Sequence, residues 1–127
     1  MLISWVLLCS GSATAAPLLY KCKISHVYNL SNSGTLNISS FQKSFEGGEF
    51  TVSKSDGSIK GVVLTTIKAK ATKVLNSGSA GFSFKAIAYF ENQLVQLIDI
   101  QEFRSGKNKP FVASSMGGAR IVSGMCQ

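Results

Sequence analysis

The chain carries 127 residues and a net charge of +7, from 13 Lys and Arg against 6 Asp and Glu. That length suits one domain with a modest core, to which a covalent cross-link would add appreciable stability. A single histidine leaves too few ligands for a zinc-type site, and the positive balance favours anionic partners over cationic ones.

The chain opens "MLISWVLLCSGSATAAP". An apolar run over residues 2–9, small residues after it, and Ala13-Thr14-Ala15 match a secretory signal with an A-x-A cleavage site, although no Lys or Arg precedes the run. The run is too short for a spanning helix, which needs about 20 residues. Leu8 is not the small residue that lipid attachment at Cys9 would require. Residues 1–15 are therefore expected to be an export signal and 16–127 a single β domain. All the Asp, Glu, Lys and Arg lie in that domain, which keeps the whole charge.

Residues 18–28 alternate as a strand, with Leu18, Tyr20, Cys22, Ile24, His26 and Tyr28 on one face and Lys21, Lys23 and Ser25 on the other. A turn around Asn32-Ser33-Gly34 and a short strand at 35–38 follow. The stretch "QKSFEGGEF" reads as a glycine-bearing loop. Strands at 49–54 and 58–65 flank Asp56-Gly57, a hairpin signal because both residues tolerate positive φ. Residues 68–75 are read as a strand, although their alanines and lysines also suit a helix. The stretch 76–81, "NSGSAG", is expected to turn. In 82–90, Phe82, Phe84, Ala86, Ala88 and Phe90 share a face. Residues 94–103 have strong β composition, "SGKNKP" turns, "FVASS" follows, "MGG" turns, and "ARIVSGMC" closes the chain. About eight short strands with regular turns give an all-β fold, a small antiparallel barrel or sandwich.

Removal of the signal takes Cys9 and leaves Cys22 and Cys126. An exported chain with an even cysteine count is read as disulfide-bonded, and only one pairing exists. Cys22 with His26 as a catalytic pair is disfavoured: four strand residues separate them by about 13 Å. His26 is instead expected to be partly buried and hydrogen-bonded. No G-x-S-x-G elbow, phosphate-cradling loop or calcium loop is present. Glu46 and Glu49 in "EGGE" are the best remaining acid pair, on a loop that would position them poorly. The pairs Lys21/Lys23 and Lys68/Lys70, at spacing two, each place both charges on one face of a strand. They are the candidate contacts for an anionic partner.

"YKCKISHVYNL" and "FTVSKSDGSIKG" resemble a small family of exported bacterial single-domain proteins of unknown function. Its pattern opens on Y-x-C (Tyr20 to Cys22) and continues with an F-x-V hairpin (Phe50 to Gly61). "SFKAI", "QEF…GKNKPF" and a terminal G-x-C (Gly124 to Cys126) complete it. The resemblance implies an exported, disulfide-closed single domain and carries no known activity. The chain is also similar, more weakly, to periplasmic C-type lysozyme inhibitors, small exported β-barrels with a Y-x-C start and a terminal cysteine. Lysozyme is basic, and a basic inhibitor would be repelled by it unless it carried a local acidic patch.

These readings converge on a non-catalytic, exported binding or envelope-associated module, periplasmic or secreted in a bacterium, with no metal and no cofactor. Its partner would be an anionic envelope component or another protein. Export and the lack of aromatics interleaved with basic residues argue against nucleic acid. The alternative is an inhibitor of a hydrolase such as lysozyme.

Overall fold

A computed structural model describes residues 18–115 and 120–127. The expected signal at 1–15 and the expected turn at 116–118 lie outside the described residues. Nine strands follow one another: β1 (Leu19–Leu30), β2 (Leu36–Ile38), β3 (Glu49–Ser53), β4 (Ile59–Gly61), β5 (Ala71–Ser79), β6 (Phe82–Tyr89), β7 (Val95–Ile100), β8 (Lys109–Ser115) and β9 (Arg120–Cys126). One helical turn, α1 (Gln42–Phe45), sits in the loop before β3, and a 3-10 turn (Glu91–Gln93) joins β6 to β7. The strands form a single antiparallel sheet in the order β4-β3-β1-β9-β8-β7-β6-β5, with β2 paired to β1 beyond the end of β3. The fold is thus all-β, and the sheet curls into a half-barrel rather than splitting into a sandwich.

The curl is visible in one contact. In a flat sheet β1 and β6, four places apart in that order, would lie about 19 Å apart. Yet the ring of Tyr20 on β1 meets that of Phe84 on β6 edge to face, with centroids 5.2 Å apart. Inward side chains from both arms fill the space between, among them Ile24, Val52, Phe84, Ile100, Phe111 and Val122, all nearly free of solvent contact. Cys22 and Cys126 face each other directly across β1 and β9 and form the disulfide.

The strand β1 corrects one expectation. Its alternation holds through Tyr20, Cys22 and Ile24, then breaks: the register against β9 slips between Ile24 and His26. This bulge at Ser25 sends Val27 into the core and turns His26 and Tyr28 outward. His26 is therefore exposed rather than partly buried, and its imidazole stacks on the Tyr28 ring with centroids 6.0 Å apart. The bulge is held from α1. Val27 N–H donates to Gln42 Oε1 at 2.7 Å, and Gln42 Nε2 donates to the Ser25 carbonyl at 2.8 Å. One side chain thus supplies partners for backbone groups that the bulge leaves out of the ladder.

Element boundaries differ from expectation where side chains intervene. The strand expected at 58–65 stops at Gly61, because Thr66 folds back on Ile59 through both its backbone N–H and its hydroxyl. Lys68 and Lys70 lie in the turn before β5, not on a strand face. The strand β5 then runs through the expected turn to Ser79, bulging between Val74 and Asn76, with Asn76 Oδ1 accepting from Gly78 N–H. Phe82, expected inside, is 64% exposed, since it precedes the last β6–β7 pair at Phe84 and nothing covers it. The strand β7 ends at Ile100, before the turn at 101–104, and β8 already begins at Lys109.

The Asp56-Gly57 hairpin forms, through a turn over residues 54–57 in which Gly57 has φ +76°. A Cβ on Gly57 would lie 2.7 Å from Ala86 Cβ, so this turn closes the seam against β6. Asp56 Oδ1 accepts the Ser58 N–H at 2.9 Å. That backbone bond, with the Ser58 and Ser53 hydroxyls, holds the Asp56 carboxyl below the usual carboxylate range. A depressed folded-state pKa contributes stability above the unfolded value and loses it as pH falls through the folded value. Asp56→Asn is therefore expected to lower the thermal midpoint at pH 7, with the gap to wild type closing as the pH falls through and below the ordinary carboxylate range. A midpoint gap that is constant from pH 7 to pH 2.5 would show that the carboxylate charge is not involved.

Candidate functional site: a basic groove on the outer sheet face

The outward residues of β4, β3 and β1 line up by register. Lys60 stands opposite Thr51, and Thr51 opposite Lys21. Two residues on, Lys23 stands between Glu49 on β3 and Met125 on β9. These residues line a groove of about 700 Å³ that Phe50, Asn108 and Gln127 complete. Strand spacing puts the Cα atoms of Lys21 and Lys60 roughly 10 Å apart with the Thr51 hydroxyl between them. Glu49 faces Lys23 across the strands, and Asp56 shares an adjoining cleft with Lys60 and Thr51, yet among the described residues neither Lys21 nor Lys60 is held in an ion pair, so both ammonium groups are free to meet an anion. Two ammonium groups flanking a hydroxyl can bracket a phosphate, sulfate or carboxylate.

Of the lysines singled out in the sequence, the structure brings Lys21 and Lys23 together in this groove. It places Lys68 and Lys70 elsewhere, exposed on the segment from β4 to β5. Lys60 and Thr51 were not among those residues. Their signal was strand parity: Ile59 points inward, so Lys60 must point out beside whatever β3 presents. Cys22 is in the disulfide and offers no thiolate, and His26 is exposed on the outer face. Glu49 lines the groove, whereas the Glu46 carboxylate accepts from Gln42 Nε2 at 3.1 Å beyond α1. The structure therefore does not gather these two acids around one cavity. Among the described residues, no three of His, Cys, Asp and Glu are grouped to hold a metal ion, and no helix is long and apolar enough to cross a membrane.

A second cleft of about 390 Å³ lies at the end of the half-barrel where β1 begins, lined by Tyr20, Lys54, Ser77, Ser79, Glu102 and Lys109 among others. Tyr20 is buried, donates its hydroxyl to Glu102 Oε2 at 2.7 Å, and carries the Lys54 ammonium 4.4 Å from its ring centroid. Burial first, then the hydrogen bond and the charge of Glu102, push the phenol above its ordinary range and keep it neutral. This arrangement ties β1 to the turn after β7 and accounts for the Tyr in Y-x-C.

No protein-family model matches the chain, and no curated protein or solved structure matches it either.

Proposed function

We propose that the protein is an exported, non-catalytic binding module of the bacterial envelope that holds an anionic partner in the groove between Lys21 and Lys60. The carrying observation is the row Lys60–Thr51–Lys21, in which three adjacent strands place two cations and a hydroxyl side by side on a solvent-facing groove. The net charge of +7 supports it by raising the local concentration of anions around the whole molecule. The Cys22–Cys126 disulfide supports export, because such bonds persist in oxidising compartments.

Long-chain inorganic polyphosphate, a water-soluble polyanion, is the probe. Wild type is expected to bind it at low ionic strength and to release it progressively as salt rises toward about 0.5 M. Lys21→Glu combined with Lys60→Glu is expected to weaken binding about tenfold or more, through two charge reversals in one site. Lys43→Glu, on α1 and away from the groove, should leave it nearly unchanged. Equal affinity of wild type and the Lys21/Lys60 double variant would remove the groove from the reading.

A further inference from the structure

The segment between β4 and β5 carries the two most exposed large apolar side chains among the described residues and is tied back to β4 by hydrogen bonds. Val62 is 98% exposed and Ile67 83%, more than any other large apolar residue described. Between them Leu64 is buried at 2% and Val63 packs on the core. Thr66 is also buried, and its hydroxyl accepts from Ile59 N–H at 2.8 Å while its own N–H donates to the Ile59 carbonyl at 2.9 Å. The two outward side chains therefore project from a fixed turn, and their exposure is not the fraying of a loose loop. Lys68 and Lys70 follow at once, both exposed.

Charge and topology narrow the occupant. From Gly57 to Phe90 the chain holds Lys60, Lys68, Lys70, Lys73 and Lys85 and no acid. The segment leaves β4 at Gly61, beside Glu49 at the start of β3, and reaches β6 where Lys70 N–H bonds the Tyr89 carbonyl, two residues before Glu91 and close to Leu94 (44% exposed). Val62 and Ile67 project singly, with the exposed Lys68 and Lys70 next in the chain, an arrangement of apolar tips and cations that complements an anionic fluid surface.

Resting on the envelope-binding reading above, we propose that this segment docks on an anionic lipid bilayer. Val62 and Ile67 enter the headgroup–acyl boundary, and Lys68 and Lys70 meet lipid phosphates. Apolar insertion and cation attraction reinforce each other at such an interface, and each lysine near an anionic surface adds about fivefold to binding. Because the turn is already ordered, little conformational entropy is lost on docking.

The test is flotation with vesicles of phosphatidylcholine alone and of phosphatidylcholine with phosphatidylglycerol. Wild type is expected to partition onto the mixed vesicles and much less onto the uncharged ones. Val62→Ser with Ile67→Ser is expected to reduce that partitioning about tenfold or more, with thermal midpoint and polyphosphate binding unchanged. Lys68→Gln with Lys70→Gln should reduce it comparably. Undiminished partitioning of the serine variant would overturn the proposal and leave the groove reading intact. So would equal partitioning onto both vesicles, or polyphosphate binding with no vesicle binding. Failure to bind polyphosphate, with vesicle binding that depends on Val62 and Ile67, would instead sink the groove and keep the docking segment. A soluble protein that binds wild type but not the serine variant, in the absence of vesicle binding, would overturn the lipid assignment.

Discussion

Replacing Cys22 and Cys126 together with serine is expected to destabilise the folded domain by up to about 4.7 kcal/mol, the chain-entropy value for a loop of about 100 residues. The two cysteines are 104 residues apart in sequence and face each other across β1 and β9. The bond therefore restrains almost the whole described chain when it is unfolded. A loss of that size rivals the net stability of many small domains and should lower the thermal midpoint by about 15 °C or more. The location adds to the effect, because Cys22 and Cys126 are both buried and serine would leave hydroxyls in an apolar layer. Thermal unfolding of wild type, reduced wild type and the double variant checks it, with alkylation and intact mass to count thiols. A double variant within a few degrees of wild type, or two free thiols in native protein, would contradict the expectation.

The pairing was legible in the sequence because it rested on counting. So was the all-β class: hydrophobic alternation sets which face of a strand is buried, and residues such as Tyr20, Cys22, Phe84, Ala86 and Ala88 are where alternation puts them. What was not legible came from contacts remote in sequence. Nothing near Ser25 announces a bulge, since the partner that satisfies the bulged backbone is Gln42, in a segment that reads as loop. From that slip the faces of His26 and Tyr28 invert. In the same way, Thr66 ends β4 by returning to Ile59, and the end of β5 is shaped by Asn76 on Gly78.

The site divides along the same line. Lys21 and Lys23 could be placed on the outer face by parity alone, since they precede the bulge. Joining them to Lys60 requires the register of two strand pairings, Lys21 with Thr51 and Thr51 with Lys60. Asp56-Gly57 marks the hairpin, but the turn spans 54–57, and its pairing cannot be read from those two residues. Lys68 and Lys70 failed as a strand pair for the reason that makes them useful to the docking segment: they sit on a turn, beside Ile67, where the ladder has stopped.

Gly124→Ala is expected to be the most damaging glycine-to-alanine change among the described residues. Gly124 sits on β9 opposite Ile24, one pair before the register slip in β1. A Cβ there would lie 2.0 Å from the Lys23 carbonyl oxygen and 2.8 Å from Phe111 Cε1. The first of these is backbone that cannot swing aside, because β1 is fixed on one side to β3 and locked to β9 at Cys22. Overpacking a core typically costs about 1–3 kcal/mol when side chains can adjust, and here the clash is with a strand, so a cost of about 3 kcal/mol or more is expected. Relief would require β9 to lift from β1 just where the disulfide holds it and where Phe50 and Phe111 meet edge to face at 5.2 Å. Gly81→Ala is the control: nothing lies within 4 Å of its added Cβ and its φ is not positive, so that change should be neutral or slightly stabilising. Thermal midpoints of the two variants, with and without reductant, measure the contrast. The Gly124 deficit should shrink under reduction, since freeing Cys126 lets the end of β9 move away. If Gly124→Ala unfolds like wild type, the glycine of the terminal G-x-C is there for some reason other than this close strand approach.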